Sequence, residues 1–282
     1  MKQDDRLIWL ARIAFGVLIP FTAIFGPLLI LFSETTRSFW AWEITPAMSS
    51  IWVGAGYTFG AVAITLMIVV GRWRSAILPT VATLALSVGL LGATLLHLNK
   101  FFLGTLPFYV WLIIYIYLPI GLPLIYALNR RRDPGVQPND LLVPRQLALG
   151  GGIGGVLIVL FGLFMFFSPT ALAQSWPWML TPLMSRVIGS WMLFMGVAGM
   201  CLFFERRYIV YRYFLPCAAF WFALLFVAAL FHLDNFFFDR PSAWLFFVVL
   251  GGVVVGLLAD FLYFERRYRA QGGRPSSLAV QS

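Results

Sequence analysis

Trp40-Ala41-Trp42-Glu43-Ile44-Thr45-Pro46-Ala47-Met48-Ser49 returns later in the chain as Trp176-Pro177-Trp178-Met179-Leu180-Thr181-Pro182-Leu183-Met184-Ser185. Each copy lies between two long apolar runs and reads as the start of a membrane helix. Thr45 and Thr181 are residue types that cap helix N-termini. Pro46 and Pro182 then fall at the first helical position, where a missing N–H costs nothing. Trp40, Trp42, Trp176 and Trp178 are expected at the membrane–water boundary, which favours amphipathic rings.

The composition agrees with a lipid solvent. The chain is 61% hydrophobic and only 11% charged, too little charge to cover a soluble domain of this size. Its net charge of +9 sits in short basic clusters that punctuate the apolar runs, which is topology information and not a nucleic-acid footprint. Cys201 and Cys217 both fall inside apolar runs and read as small buried residues, with neither a disulfide scaffold nor a metal site implied.

Eight spans are expected, at 13–32, 46–71, 75–97, 105–128, 147–167, 182–204, 209–232 and 241–264. The first is too long for a signal peptide and lacks a small-residue cleavage site, so it reads as a retained helix. All should be helices, because lipid offers backbone groups no partner and the runs lack the alternation of a barrel. Arginines concentrate on alternate loops: Lys2, Arg6 and Arg12; Arg72 and Arg74; Arg130 to Arg132 and Arg145; Arg206, Arg207 and Arg212; Arg266, Arg267, Arg269 and Arg274. The opposite loops hold only Arg37, Lys100, Arg186 and Arg240. The positive-inside rule then puts both termini in the cytoplasm of a cell (inner) membrane protein, with the Trp-x-Trp stretches facing outward.

The resemblance between halves runs further. Arg74-Ser-Ala-Ile-Leu-Pro79 parallels Arg212-Tyr-Phe-Leu-Pro216, Leu96-His97-Leu98-Asn99 parallels Phe231-His232-Leu233-Asp234, and Asn129-Arg130-Arg131 parallels Glu265-Arg266-Arg267. The expected organisation is all-α: a four-helix repeat over 1–132, a cytoplasmic linker over 133–144, a second repeat over 145–269 and a flexible cytoplasmic tail over 270–282. Four spans per repeat, an even number, give both repeats the same topology, related by a pseudo-two-fold axis along the membrane normal. Pro20, Pro27, Pro119 and Pro123 are expected to kink their spans. Gly151 with Gly155, and Gly252 with Gly256, have the spacing of tight helix packing; a dimer interface is the competing reading.

Candidate chemistry gathers at the outer face. His97 and His232 hold the same repeat position, which suits either paired axial ligands of a b-type haem or two helix C-terminal caps duplicated with the repeat. A metal site of His97, Asn99, His232 and Asp234 matches no recognised ligand spacing. Arg186 falls about one turn inside its span, where a cation needs a partner or water, and Glu43, Asp234 and Asp239 are its expected partners. The corresponding position of the first copy reads as Ser50. The candidate outer-face binding residues are therefore Trp40, Trp42, Thr45, His97, Asn99, Trp176, Trp178, Thr181, Arg186, His232, Asp234 and Asp239, for a polar headgroup or anionic ligand; an interfacial belt with a snorkelling arginine is the bland alternative. Asp260, one turn from the arginine-rich end, reads as reaching the interface in preference to relaying protons.

No nucleophile elbow, phosphate loop or dinucleotide fingerprint occurs, so catalysis is not the expectation. The sequence reads as a non-enzymatic membrane protein, an accessory subunit or binding module using its outer face, needing no cofactor. A small transporter with a path between repeats is the alternative, and a bis-histidine haem redox protein the third reading. Expected partners are membrane lipid and other membrane-protein subunits or a second copy of the chain.

Overall fold

The computed structural model describes residues 5–271, and these form an all-helical assembly. Eight helices are long and apolar enough to cross a membrane, as a multi-pass membrane protein requires: α1 Trp9–Leu31, α2 Ala47–Val70, α3 Trp73–Leu96, α4 Leu106–Arg130, α5 Arg145–Phe167, α6 Pro182–Phe203, α7 Tyr208–Leu230 and α8 Pro241–Ala270. Their bounds fall close to the expected spans, because runs of apolar residues end where charge or turn formers begin. Helix α8 continues past its expected end: Glu265 pairs with Arg269 one turn on and with Arg212 of α7, each at 2.8 Å, and these hold the last turns helical. The tail beyond Gln271, with Arg274, lies outside the described residues, as does Lys2.

Helix α1 is interrupted at Val17, between Trp9–Gly16 and Leu18–Leu31. Pro20 lies just beyond; its ring conflicts with the carbonyl four residues earlier, that of Gly16, so the interruption falls where proline dictates. Pro27, Pro119 and Pro123 lie within continuous helices.

The packing has a centre and a rim. Helix α2 packs on α7, and α3 on α6, making a central group of four. Helix α1 lies along α2, α5 along α6, α4 along α3 and α8 along α7. Glycine sets the closest approaches. A Cβ on Gly54 would come 2.7 Å from the Gly26 carbonyl oxygen, and one on Gly189 would come 2.8 Å from that of Gly162. One on Gly155 would come 2.5 Å from the Met200 nitrogen, so the backbones of α5 and α6 meet there with no room for a side chain. The expected tight packing holds for Gly155, while Gly151 faces Leu202. It fails for Gly252 and Gly256, which have nothing within 4 Å. The reason is that α8 meets α7 along its opposite side and leaves this face outward.

Short backbone bridges close both ends. At the arginine-rich end, Leu7 N–H donates to the Gly71 carbonyl at 2.8 Å and Trp73 N–H to that of Asp5 at 2.9 Å. Before α5, Val143 N–H donates to Arg206 and Tyr208 N–H to Leu141, both at 2.8 Å. At the motif end, Phe102 N–H donates to the Ala41 carbonyl at 2.9 Å and Phe237 N–H to that of Pro177 at 2.8 Å.

Candidate functional site at the motif end

The two motif copies do not start their helices alike. Thr181 caps α6 as expected: its hydroxyl oxygen accepts from Met184 N–H at 3.2 Å, with Pro182 at the first position. Thr45 makes no cap. Pro46, joined to it by a cis peptide, is itself the cap residue and α2 begins at Ala47. The first turn of α2 is served from the other side of the molecule instead. Met48 N–H donates to the Asn235 side-chain oxygen at 3.3 Å, and the Ser49 hydroxyl accepts from the Trp178 indole at 3.1 Å. Orphan amides at a helix start need an acceptor, and here the loop after α7 supplies one. Asn235 went unnoticed in the sequence; its one signal is an amide side chain directly after the repeated His-Leu-Asx turn.

The tryptophans are not an exposed belt. Trp40, Trp42 and Trp178 are buried, and Trp176 is half-buried. Trp40 meets Phe25 at 5.2 Å and both Trp42 and Trp111 at 5.5 Å; Trp178 meets Trp176 at 5.4 Å and Phe246 at 5.3 Å. Each motif folds back over the helix ends, so the rings turn inward. An aromatic ring buries more apolar area there than it could at a flat interface.

His97 is the cap residue that ends α3, and His232 lies one past Phe231, the cap residue of α7; their backbones are nearly identical, φ −130° and ψ 29° against φ −129° and ψ 40°. Each is followed by a 3-10 turn, Leu98–Lys100 and Leu233–Asn235. Their surroundings differ. The Arg186 guanidinium Nη1 lies 2.6 Å from His97 Nε2, and the Phe166 ring centroid lies 5.9 Å from its central carbon. No carboxylate pairs with Arg186 among the described residues, and its Nε–H is buried without an acceptor. The expected partners Asp234 and Asp239 stand exposed on the loop after α7, and Glu43, also exposed, pairs at 3.5 Å with Arg37. They miss Arg186 because it leaves the side of α6 that packs on α3, whose end carries His97, and not α7. Burial, then Arg186, then Lys100 hold the His97 imidazole below its ordinary value of 6.5. A neutral His97 can accept from Arg186, so the pair carries one net positive charge.

Ser185 Oγ donates to the Met165 carbonyl at 2.9 Å, while in the first copy Ser50 Oγ donates to that of Leu29 at 2.7 Å. Ser50 thus bonds to α1 as Ser185 bonds to α5, and the residue after Ser50 is Ile51, which is fully buried. One residue more separates the first motif from its helix contacts, and that extra residue accompanies the altered start of α2.

The remaining sequence candidates are scattered. Asn99 and Thr45 are exposed, and His232 is half-buried with no resolved side-chain partner. Arg240 donates to the carbonyls of Ala173 at 3.3 Å and Trp176 at 3.0 Å over the Phe237 ring, so it ties down the second motif. Asp260 lies on the exposed side of α8. No protein-family model, no curated protein and no solved structure matches the chain.

Proposed function

We propose that the protein is a non-enzymatic membrane module that binds an anionic group, a phosphate or carboxylate, at its motif end. The observation that carries this reading is Arg186: a half-buried guanidinium without a carboxylate, paired only with a neutral imidazole and keeping one N–H unsatisfied. A cation so placed is costly unless an anion completes it. The motif end is read as the non-cytoplasmic face, on the strength of arginine clusters at the opposite end.

The architecture supporting the site is read as two four-helix repeats related by a pseudo-two-fold axis. Exchanging α1–α4 with α5–α8 maps every major helix pair onto another: α1–α2 onto α5–α6, α3–α4 onto α7–α8, and α2–α7 onto α6–α3. The bridges at both ends and the Ser50 and Ser185 bonds map likewise. Arg186 breaks that symmetry, which fits one specialised site and not two. A transport path between the repeats finds less support, since Trp52, Phe59, Trp191, Phe194 and Trp221 fill the space where they meet.

The test is binding of inorganic phosphate and of phosphatidylglycerol to purified protein in neutral detergent, before and after Arg186→Met. Loss of a charge-assisted bond of about 1.5–3 kcal/mol weakens binding roughly ten- to a hundredfold. Phosphate alone competing with the lipid identifies the headgroup as the recognised part. Unchanged binding in folded Arg186→Met protein sinks the proposal.

A further inference from the structure

A second feature lies deep among α1–α4, away from Arg186. Helices α2 and α3 scarcely touch each other, since α2 packs on α1 and α7 while α3 packs on α6 and α4. The gap leaves a cavity of about 80 Å³ whose wall includes Phe21, Tyr57, Leu86, Tyr115, Trp191 and Phe194. Gly56 admits the Trp191 ring to that wall: a Cβ there would come 2.6 Å from the indole. The half-buried residues Ala63, Pro79 and Thr83 mark the cavity's open side.

The Thr22 hydroxyl in the wall is spent on the Leu18 carbonyl at 2.9 Å, whereas the tyrosine pair and Trp191 hold donors in surplus. The Tyr57 and Tyr115 hydroxyls bond each other at 2.7 Å. Two hydroxyls carry two protons, their mutual bond uses one, and no other bond to either oxygen occurs. The Trp191 indole N–H has no acceptor among the described residues. Five other indoles share that condition, but only Trp191 belongs to this wall. An unsatisfied buried donor costs roughly 1–3 kcal/mol, which an acceptor oxygen would recover. A charge is unsuited to so apolar a wall.

We infer that this cavity is a binding site for a neutral carbonyl group borne on an apolar chain. The carbonyl oxygen accepts from the tyrosine pair and Trp191, and the chain leaves past Ala63 and Thr83 into the bilayer. The site is independent of Arg186: it lies at a different depth and recognises no charge.

The probe is 2-undecanone labelled with 13C at its carbonyl, added to the full protein in lipid nanodiscs and followed by infrared spectroscopy. A carbonyl seated against two donors absorbs at lower frequency than one in lipid. Wild-type protein is expected to give a saturable, down-shifted band absent from empty nanodiscs. Ala63→Leu adds three carbons to the cavity and should cut that band at least about tenfold. If Ala63→Leu does not fold, Gly60→Val serves, since a carbon added at Gly60 meets only Thr22, at 3.7 Å. Trp191→Phe, and the double change Tyr57→Phe with Tyr115→Phe, should each return the band toward the lipid frequency with the probe still bound, since either tyrosine left alone keeps one O–H free. Absence of a saturable band in the wild type overturns the inference. So does a band that survives cavity filling, or one indifferent to both donor substitutions.

Discussion

Arg207→Met tests what holds the arginine-rich end together. Arg207 precedes α7, and only 4% of its side chain is exposed. All five of its N–H groups are engaged. Nη1 and Nη2 clasp the Asp133 carboxylate at 2.6 and 2.7 Å, Nη1 also donates to the Gly135 carbonyl at 2.9 Å, and Nε and Nη2 reach Glu205. One side chain thus fastens the segment after α4 to the α6–α7 loop. Methionine keeps the unbranched stem and leaves two carboxylates facing each other. Breaking a fully buried pair from one side costs about 3–5 kcal/mol. Asp133 and Glu205 retain 22% and 18% exposure, so the low end applies and the expected loss is about 3 kcal/mol. Equilibrium unfolding in mixed micelles measures it, and a cycle with Asp133→Asn should return a coupling of about 1 kcal/mol or more. The pH dependence has a definite sign. Burial raises the Asp133 carboxyl, but the Arg207 bonds and charge outweigh it and hold the group below its ordinary 3.8. The folded state therefore binds fewer protons, so the stabilisation is complete above that value and fades as pH falls through the lower folded one. The gap between wild type and Arg207→Met should narrow over the same range. A loss below about 0.5 kcal/mol at pH 7, as for an exposed pair, would refute the argument.

Gly155→Ala would place a carbon 2.5 Å from one backbone atom and 2.6 Å from another, so α5 and α6 must part. Expect a loss of about 1–3 kcal/mol, against almost none for Gly252→Ala, whose position is open. Comparable losses at the two sites would count against the α5–α6 contact. His97 is held below its ordinary 6.5, so a bound anion should draw a proton to it; phosphate binding should strengthen from pH 8 to pH 6 in wild type and lose that slope in His97→Gln. A slope untouched by the substitution would detach His97 from the site. Cysteines placed at Arg131 or Arg267 should resist an impermeant thiol reagent on intact cells, while one at Asp239 should react. Labelling at Arg131 from outside would reverse the orientation.

The helical, multi-pass character was written in apolar runs of membrane-spanning length, whose ends charge and turn residues mark without help from the fold. The duplicated Trp-x-Trp stretch and the paired histidines were equally legible, because local patterns survive in the linear order. Partners across the fold were not. Arg186 found His97 and not Asp234 or Asp239 because α6 packs on α3, and no spacing in the chain encodes that neighbour. Thr45 failed as a cap because Asn235 and Trp178 serve the start of α2 from 187 and 129 residues further along the chain. The tryptophans turned inward, and Gly252 and Gly256 outward, for the same reason: a glycine or an aromatic ring suits either a packed face or a free one. The Tyr57–Tyr115 pair and its cavity belong wholly to the tertiary structure, because a void exists only where helices from separate parts of the chain decline to meet. The order of residues alone marks which segments are long and apolar enough to cross a membrane, through the cost of moving each residue into lipid; helix-against-helix packing decided which faces meet and therefore where chemistry is possible.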